Sequence, residues 1–258
     1  MVHHAVCAAV GPVLERAAIE HSYACRPGKG VHAAVRQCQR FCRGRRYFLK
    51  CDVRGFYSSV DHAVLMRLLC RVVKDRPMLD LLGLIVDTGG VSSAGGAATD
   101  GVGGRGLPIG NLTSQYFANF ILTGLDLFVL QELRPGGYVR YMDDFALFDD
   151  DRTRLRAMLG RVRAYLREER GLELKEPATL LTRTAVGVPF LGLRVFPGTL
   201  RLRRRKIRRC RDLARRRMAE YLAGERDEAS LQASLGSIVA HVEMGGSPGL
   251  RRAILVGE

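Results

Sequence analysis

Residues 138–148, YVRYMDDFALF, decide the fold. Apolar and aromatic residues flank the pair Asp143 and Asp144 on both sides. This pattern predicts two strands joined by a tight hairpin, with the acids at its turn. Aspartates also favour turns for their own backbone preferences, and an isolated Asp-Asp pair usually indicates no more than that. A chemical role for these carboxylates therefore needs support from elsewhere in the chain.

A second acid ends another predicted strand. Residues 47–53, YFLKCDV, place Asp52 after a run of aromatic and apolar residues, 91 positions before Asp143. If the two strands pair in one sheet, three carboxylates converge on one edge and repel one another unless cations lie between them. Hard oxygen ligands of this kind select Mg²⁺, and two such ions about 3.5–4 Å apart serve phosphoryl transfer. The pattern points to metal-dependent chemistry on phosphates.

The composition is that of an ordinary folded domain. The chain has 258 residues, of which 47% are hydrophobic and 26% charged, and this length allows one or two domains. No apolar run reaches the roughly 18 residues that cross a bilayer, so we expect no membrane contact and a cytoplasmic location. Seven cysteines without a C-x-x-C pair favour free thiols over disulfides or a zinc site.

The net charge of +15 is concentrated in two segments. Residues 21–51 contain eight basic and no acidic residues, and residues 201–220 contain eleven basic and two acidic ones. In the second segment, apolar residues at steps of three and four predict an amphipathic helix whose other faces are nearly all arginine. A solvated helical face is the simpler interpretation. Like charges at i and i+4 repel, however, and arginine binds phosphate bidentately, so a nucleic-acid backbone is the expected partner.

The remaining patterns predict an α+β chain. Helices are expected at residues 2–20 and 31–44, from Asp61 onward, and at 113–132 and 151–169, with a further strand at 189–196. We expect residues 1–198 to form one domain and residues 199–258 a second, helical and basic one.

Several of these motifs, in this order, resemble those of reverse transcriptases. Residues 141–144, YMDD, are similar to the catalytic box of that family, and residues 48–62, FLKCDVRGFYSSVDH, to its first palm motif. Residues 106–126 resemble the next palm motif, and Phe190-Leu191-Gly192 resembles the primer-grip hairpin. The arginine-rich helix that follows is similar to the thumb, which holds the template–primer duplex.

The resemblance implies a right-hand polymerase: an α+β palm with an antiparallel sheet and packed helices, partial fingers and a helical thumb. The implied activity is RNA-directed DNA synthesis, in which nucleotides pass from dNTPs to a primer 3′-hydroxyl. The implied partners are an RNA template and a DNA or RNA primer. An accessory nucleic-acid-binding protein is a further expected partner, since the basic surface would otherwise bind without selectivity.

Residue roles also follow from the resemblance. The catalytic and metal-binding residues are Asp52, Asp143, Asp144 and the backbone carbonyl of Val53, which hold two Mg²⁺ ions or Mn²⁺ in their place. Tyr57 lies at the position that blocks a ribose 2′-hydroxyl. The expected substrate-binding residues, some from the motif and some from the first basic segment, are Ile109, Gly110, Ser114, Gln115, Arg26 and Lys29. Because Ser114 and Gln115 open a helix, its first amides are expected to contact phosphates.

The subgroup is indicated by Ile109 and by residues 23–33, YACRPGKGVHA. Both resemble the enzymes of diversity-generating retroelements and their group II intron-like relatives. Most reverse transcriptases have a glutamine where this chain has Ile109, and an isoleucine offers contact area but no hydrogen bond. In such enzymes the change accompanies loose selection opposite template adenine. The alternative is that Ile109 is simply a packing residue.

Two departures from the family keep other functions open. The family usually has some tens of fingers residues before the point where this sequence begins, so we expect an N-terminally incomplete fingers region. The position of a lysine thought to protonate pyrophosphate holds Ala178, with Lys175 nearby. The alternative function is a catalytically impaired, polymerase-derived RNA-binding or maturase-like protein. A metal-dependent nuclease is a weaker alternative, because it leaves Tyr57 without a role.

Overall fold

The computed structural model describes residues 2–88, 104–108 and 110–243, apart from the side chain of residue 241. Its helices are α1 (Val2–Arg16), α2 (Val31–Gly44), α3 (Phe56–Ser59), α4 (His62–Val72), α5 (Arg76–Thr88), α6 (Leu112–Phe128), α7 (Arg152–Arg170), α8 (Arg204–Leu222) and α9 (Glu228–Glu243). Its strands are β1 (Tyr47–Asp52), β2 (Gly137–Tyr141), β3 (Asp144–Asp149), β4 (Leu180–Arg183), β5 (Val188–Phe190), β6 (Leu193–Val195) and β7 (Leu200–Leu202). The α+β class expected from the sequence is confirmed.

A four-stranded antiparallel sheet in the order β2-β3-β1-β4 forms the centre of the molecule. Strands β2 and β3 are the predicted hairpin, and β1 pairs with β3 along its whole length. Phe48 lies opposite Phe148, and Asp52 lies opposite Asp144. The two strands that carry the acids are therefore neighbours.

The two faces of this sheet are covered by different layers. Leu49, Tyr138 and Leu147 belong to the larger core, to which α6 and α7 contribute buried residues. Phe48 and Val139, on the other face, join a second core that contains α2 and the strands β5 to β7. Because side chains alternate along a strand, each acid-bearing strand contributes to both cores.

A smaller sheet in the order β5-β6-β7 lies beside the central one. The predicted single strand 189–196 is wrong, because Leu191 (φ 51°) and Gly192 (φ 83°) turn the chain back between β5 and β6. The proposed domain boundary at 198 falls in the turn between β6 and β7, so β7 extends the sheet across it. The boundary itself stays a prediction.

The helix ends follow capping signals in the sequence. Asp61 accepts a hydrogen bond from the Val64 amide at 3.1 Å and begins α4, as predicted. Asp151 caps α7 through the Thr153 amide at 2.7 Å, and Gly171 ends that helix at φ 64°. Helix α1 ends at Arg16, four residues before the predicted end. No helix in the described ranges is long and apolar enough to cross a membrane.

The packing of α2 against the hairpin can be tested at Gly137, which is buried at the start of β2. A Cβ there would come within 2.7 Å of Phe41 Cε1. We expect Gly137→Ala to lower the free energy of unfolding by about 1–3 kcal/mol, because the ring must move inside a packed core. Urea denaturation followed by circular dichroism measures this loss.

The matched control is Gly160→Ala in α7, where a Cβ has nothing within 4 Å. There alanine should stabilise the helix by about 0.5–1 kcal/mol. Equal effects at the two positions would contradict the described packing of Phe41 against β2.

Candidate active site

Three carboxylates lie together at one end of the central strands β1 and β3. Strand β1 ends at Asp52 and strand β3 begins at Asp144, directly opposite in the antiparallel register. Asp143 lies in the two-residue turn between β2 and β3, and all three residues are half-buried. Like charges directly opposite each other weaken a strand pair, so this arrangement is unfavourable without a neighbouring cation.

The turn that holds Asp143 has an uncommon backbone conformation. Met142 adopts φ 55° in the left-handed region, although it is not a glycine. A positive φ at the first turn position suits the twist of a two-residue hairpin, but it costs a residue with a side chain about 1 kcal/mol or more. The surrounding contacts must therefore hold this turn in place.

Lys50 supplies one positive charge next to the carboxylates. Its Nζ lies 3.0 Å from Asp144 Oδ1, and both side chains are largely enclosed, with exposures of 8% and 21%. Burial raises the pKa of Asp144 to about 6; Lys50 opposes that shift, while Asp52 and Asp143 add to it. Oδ1 of Asp144 is buried, and its partner among the described residues is the ammonium group of Lys50. The sequence did not reveal this ion pair.

Asp143 is influenced by a second lysine. Burial, and after it repulsion by Asp52, raises the pKa of Asp143, whereas the positive charges of Lys50 and Lys175 lower it. The amide of Lys175 donates to the Asp52 carbonyl at 2.8 Å, which brings this exposed residue to the site. Ala178 ends a 3₁₀ turn, Glu176–Ala178, that begins one residue after Lys175.

The carbonyl of Val53 points away from the segment that contains Leu174. Val53 forms an isolated antiparallel bridge with Leu174, closed by hydrogen bonds of the neighbouring residues Arg54 and Lys175. In a bridge of this type the amide and carbonyl of the central residue point away from the partner. For Val53 that direction is the side of β1 on which β3 pairs, and β3 begins at Asp144.

The donor set fits hard divalent cations. It consists of carboxylate oxygens and a carbonyl, and burial together with mutual repulsion raises the pKa values of Asp143 and Asp144. Within the described ranges no group of three His, Cys, Asp or Glu side chains is arranged to hold a metal ion by itself. Mg²⁺ usually binds through one or two carboxylates and substrate phosphates, so a site completed by substrate matches this geometry.

Tyr57 lies beside the carboxylates on α3. Its carbonyl accepts from the Leu107 amide at 2.7 Å, which joins the first palm motif to the start of the next. Burial, with smaller contributions from Cys25 and Asp143, raises the pKa of Tyr57 to about 12. The phenol is therefore neutral and bulky at physiological pH, as a steric barrier requires.

Residues 4–195 match the family described as "Reverse transcriptase (RNA-dependent DNA polymerase)". The chain belongs to the reverse transcriptase family. The group II intron-encoded protein LtrA of Lactococcus lactis subsp. cremoris is 31% identical over 120 residues, which cover 46% of this chain and 19% of LtrA. Protein YkfC of Escherichia coli K12 is 24% identical over 235 residues, with 76% of this chain and 60% of YkfC covered. This member of the family thus has group II intron-like relatives, and the matched region spans about a fifth of LtrA.

Solved telomerase structures share the fold. The telomerase of Candida tropicalis in complex with a telomeric RNA fragment superposes with a TM-score of 0.60 at 10% identity, covering 92% of this chain and 46% of that one. The telomerase of Candida albicans superposes with a TM-score of 0.57 at 11% identity, covering 99% of this chain and 47% of that one. The predicted reverse transcriptase fold is confirmed.

In this reverse transcriptase the second palm motif forms the start of α6. Gly110 adopts φ 105°, which favours glycine, and Asn111 precedes the helix without a side-chain cap. Ser114 is buried, and Gln115 Oε1 accepts from Cys25 Sγ at 3.2 Å. Among the described residues, the side chain of Asn111 does not cap the first amides of α6, and Ile109 lies outside the described residues. The substrate contacts of these residues stay predictions.

The two predicted substrate-binding residues of the first basic segment are each paired with an acid. Arg26 pairs with Glu15 at 2.5 Å and also donates to the carbonyls of Ile19 and Ser22, which leaves its side chain 11% exposed. Lys29 pairs with Glu20 at 2.6 Å. A triphosphate contact by either residue would have to replace these partners, so their predicted substrate role remains a prediction.

The second basic segment is more open. Arg194, Arg201, Arg203 and Arg204 line a cavity of about 610 Å³ together with Phe196, and we call this the arginine pocket. Arg194 and Arg201 lie directly opposite on β6 and β7. None of the four arginines forms an ion pair with an acid in the part of the chain that is described.

Two features of the arginine pocket are unfavourable without an anion. Arg194 and Arg201 are like charges directly opposite each other, which destabilises the pairing of β6 with β7. Arg203 and Arg204 place positive charges at the N-terminus of α8, where they are unfavourable next to the positive end of the helix dipole. An anion bound between them would relieve both repulsions. The pocket is therefore suited to phosphate groups.

The raised pKa of Asp144 predicts a pH-dependent difference in stability from Asp144→Asn. Without metal, in EDTA, the Asp144 carboxyl stays protonated up to about pH 6 in the folded wild type, but only up to about pH 3.8 in the unfolded chain. Wild-type stability attributable to this group is therefore greatest at low pH and is lost as pH rises through that window.

Asparagine has no proton to lose, so the stability of Asp144→Asn relative to wild type should rise from pH 4 to pH 7, by at most about 3 kcal/mol. Thermal unfolding of both proteins across this range measures the difference. A difference that stays flat with pH would show that Asp144 is not perturbed.

Proposed function

We propose that this protein is an RNA-directed DNA polymerase, which transfers nucleotides from dNTPs to a primer 3′-hydroxyl on an RNA template. The observation that carries the proposal is the placement of Asp52 opposite Asp144, with Asp143 in the adjoining turn. Membership of the reverse transcriptase family supports it. The group II intron-encoded relative points to a retroelement origin, and a cytoplasmic location belongs to the same proposal.

In this proposal the carboxylates and the Val53 carbonyl would hold two Mg²⁺ ions, or Mn²⁺, which would supply positive charge for activating the 3′-hydroxyl and neutralising the triphosphate. Tyr57 excludes the ribose 2′-hydroxyl by its bulk. The uncapped amides at the start of α6 bind phosphate oxygens. Lys175, close enough to influence Asp143, takes the place of the missing lysine at Ala178 and donates the proton to the leaving pyrophosphate.

Asp143→Ala tests the catalytic part of the proposal. We expect primer extension of oligo(dT) on poly(rA) to fall by more than about 100-fold with either Mg²⁺ or Mn²⁺, because a ligand of the reaction centre is lost. Incorporation of labelled dTTP gives the rate. Asp80→Ala, which removes an exposed acid on α5, is the control and should keep full activity.

The second candidate is an RNA-binding, maturase-like protein without polymerase activity. Ala178 favours it, and so does the name of a relative, the nuclear intron maturase 1 of Arabidopsis thaliana, which is 33% identical over 82 residues. Tight RNA binding by a wild type that incorporates no dTTP would select this candidate. Extension that survives in Asp143→Ala would overturn the proposed active site.

The proposal also assigns nucleic-acid phosphates to the arginine pocket. We expect Arg194→Ser/Arg201→Ser to weaken the binding of an RNA–DNA duplex. The slope of the logarithm of the binding constant against the logarithm of salt concentration should become shallower by about 1–2. A filter-binding titration between 50 and 300 mM NaCl measures both quantities.

The control for net charge is Arg152→Ser/Arg156→Ser, which removes two exposed arginines of α7. If both double variants change the slope equally, the pocket makes no specific contact.

A further inference from the structure

Arg140 and Asp126 form an ion pair that the proposed chemistry does not use. Arg140 lies on β2, three residues before Asp143, and Asp126 lies on α6. Both side chains have 0% exposure. The guanidinium donates through Nη2 to Asp126 Oδ2 at 2.5 Å and through Nε to Oδ1 at 2.7 Å. This is a bidentate pair inside the larger core, the geometry in which arginine binds carboxylates most strongly.

The pair is the centre of a satisfied polar network. Tyr138 Oη donates to Asp126 Oδ1 at 2.7 Å, and Arg140 Nη1 donates to Asn119 Oδ1 at 3.2 Å. Asn119 in turn donates to the Ala24 carbonyl at 2.6 Å. The network therefore ties α6 to β2 and to the segment that precedes α2.

Stability alone is a poor explanation for such a pair. Removing two charges from water is unfavourable, and apolar residues of similar volume often stabilise a core as well or better. What a buried arginine adds is direction, because its planar fork positions several acceptors at once.

One of those acceptors belongs to the catalytic turn. Arg140 Nη1 also donates to the Met142 carbonyl at 3.1 Å. That carbonyl is part of the peptide bond to Asp143, and Met142 is the residue held at φ 55°. The guanidinium thus fixes, from inside the core, a peptide whose conformation is unfavourable by itself.

We propose that Asp126 and Arg140 are a positioning pair, which holds the Met142–Asp143 peptide and with it the carboxylates of Asp143 and Asp144 in the geometry for binding divalent metal. Asp126 orients Arg140, and Arg140 holds the turn. Neither residue contacts substrate. The same pair joins the turn to α6, whose first turn carries Ser114 and Gln115. The inference rests on the proposed function for its catalytic consequence, but its metal-binding consequence can be measured separately.

Arg140→Lys is the main test, because lysine keeps the charge but cannot reach Asp126 and the Met142 carbonyl with one planar group. We expect kcat for dTTP incorporation to fall about 100-fold, as for a misplaced reaction centre, while KM for dTTP stays within about twofold. We also expect binding of Mn²⁺ to the free protein, followed by EPR, to weaken about 10-fold. Asp126→Asn should shift both quantities in the same direction.

Arg170→Lys is the matched control. Arg170 is also a buried arginine that contacts α6, since it donates to the Ile121 carbonyl at 3.1 Å and to Tyr165 Oη at 2.6 Å. It belongs to α7, and its hydrogen bonds among the described residues go to α6 and α7 and not to the turn. We expect its substitution to lower the melting temperature, as Arg140→Lys does, but to leave Mn²⁺ affinity and kcat within about twofold of wild type.

The outcomes separate this inference from the proposed function. If Arg140→Lys changes Mn²⁺ affinity and kcat no more than Arg170→Lys does, the inference is overturned. If the wild type binds Mn²⁺ but does not polymerise, the proposed function fails, and the Mn²⁺ titration still decides the inference. If Arg140→Lys does not fold, the isosteric Asp126→Asn decides it by the same comparison.

Discussion

The antiparallel pairing of β1 with β3 is the constraint on which the site depends. Asp52 and Asp144 come from segments about 90 residues apart, and only the register of this pair places them opposite each other. Side chains alternate along a strand, so a slip of one residue would turn either carboxylate to the opposite face of the sheet. The two cores on the two faces, with Leu49 on one and Phe48 on the other, prevent that slip.

This pairing concentrates negative charge where the fold itself gains nothing from it. Burial and mutual repulsion raise the pKa values of Asp143 and Asp144, and Lys50 balances only part of that charge. The left-handed backbone at Met142 adds a further unfavourable contribution. Strain and uncompensated charge of this kind persist only where the surrounding structure holds them, and here the buried Arg140 contacts the turn directly.

Local signals in the sequence predicted a good part of this structure. Runs of aromatic and apolar residues predicted β1 and the hairpin of β2 and β3, and Asp61 correctly marked the start of α4. The strand pattern missed the turn at Leu191, because a positive φ at leucine is uncommon, whereas the resemblance of residues 190–192 to the primer-grip hairpin implied it. Strand β4 was also missed, since its four residues are ordered by pairing with β1 and not by their own pattern.

By itself, the sequence determined that the chain is an α+β protein with acids at two strand ends, and its motifs indicated the reverse transcriptase family. These properties depend on residues only a few positions apart in the chain, so local sequence patterns reveal them. Tertiary structure alone decided which charges meet. It pairs Arg26 with Glu15, Lys50 with Asp144 and Arg140 with Asp126, and leaves the arginine pocket without acids in the described structure. Charge interactions act through space, over a few ångströms, and a linear sequence does not contain those distances.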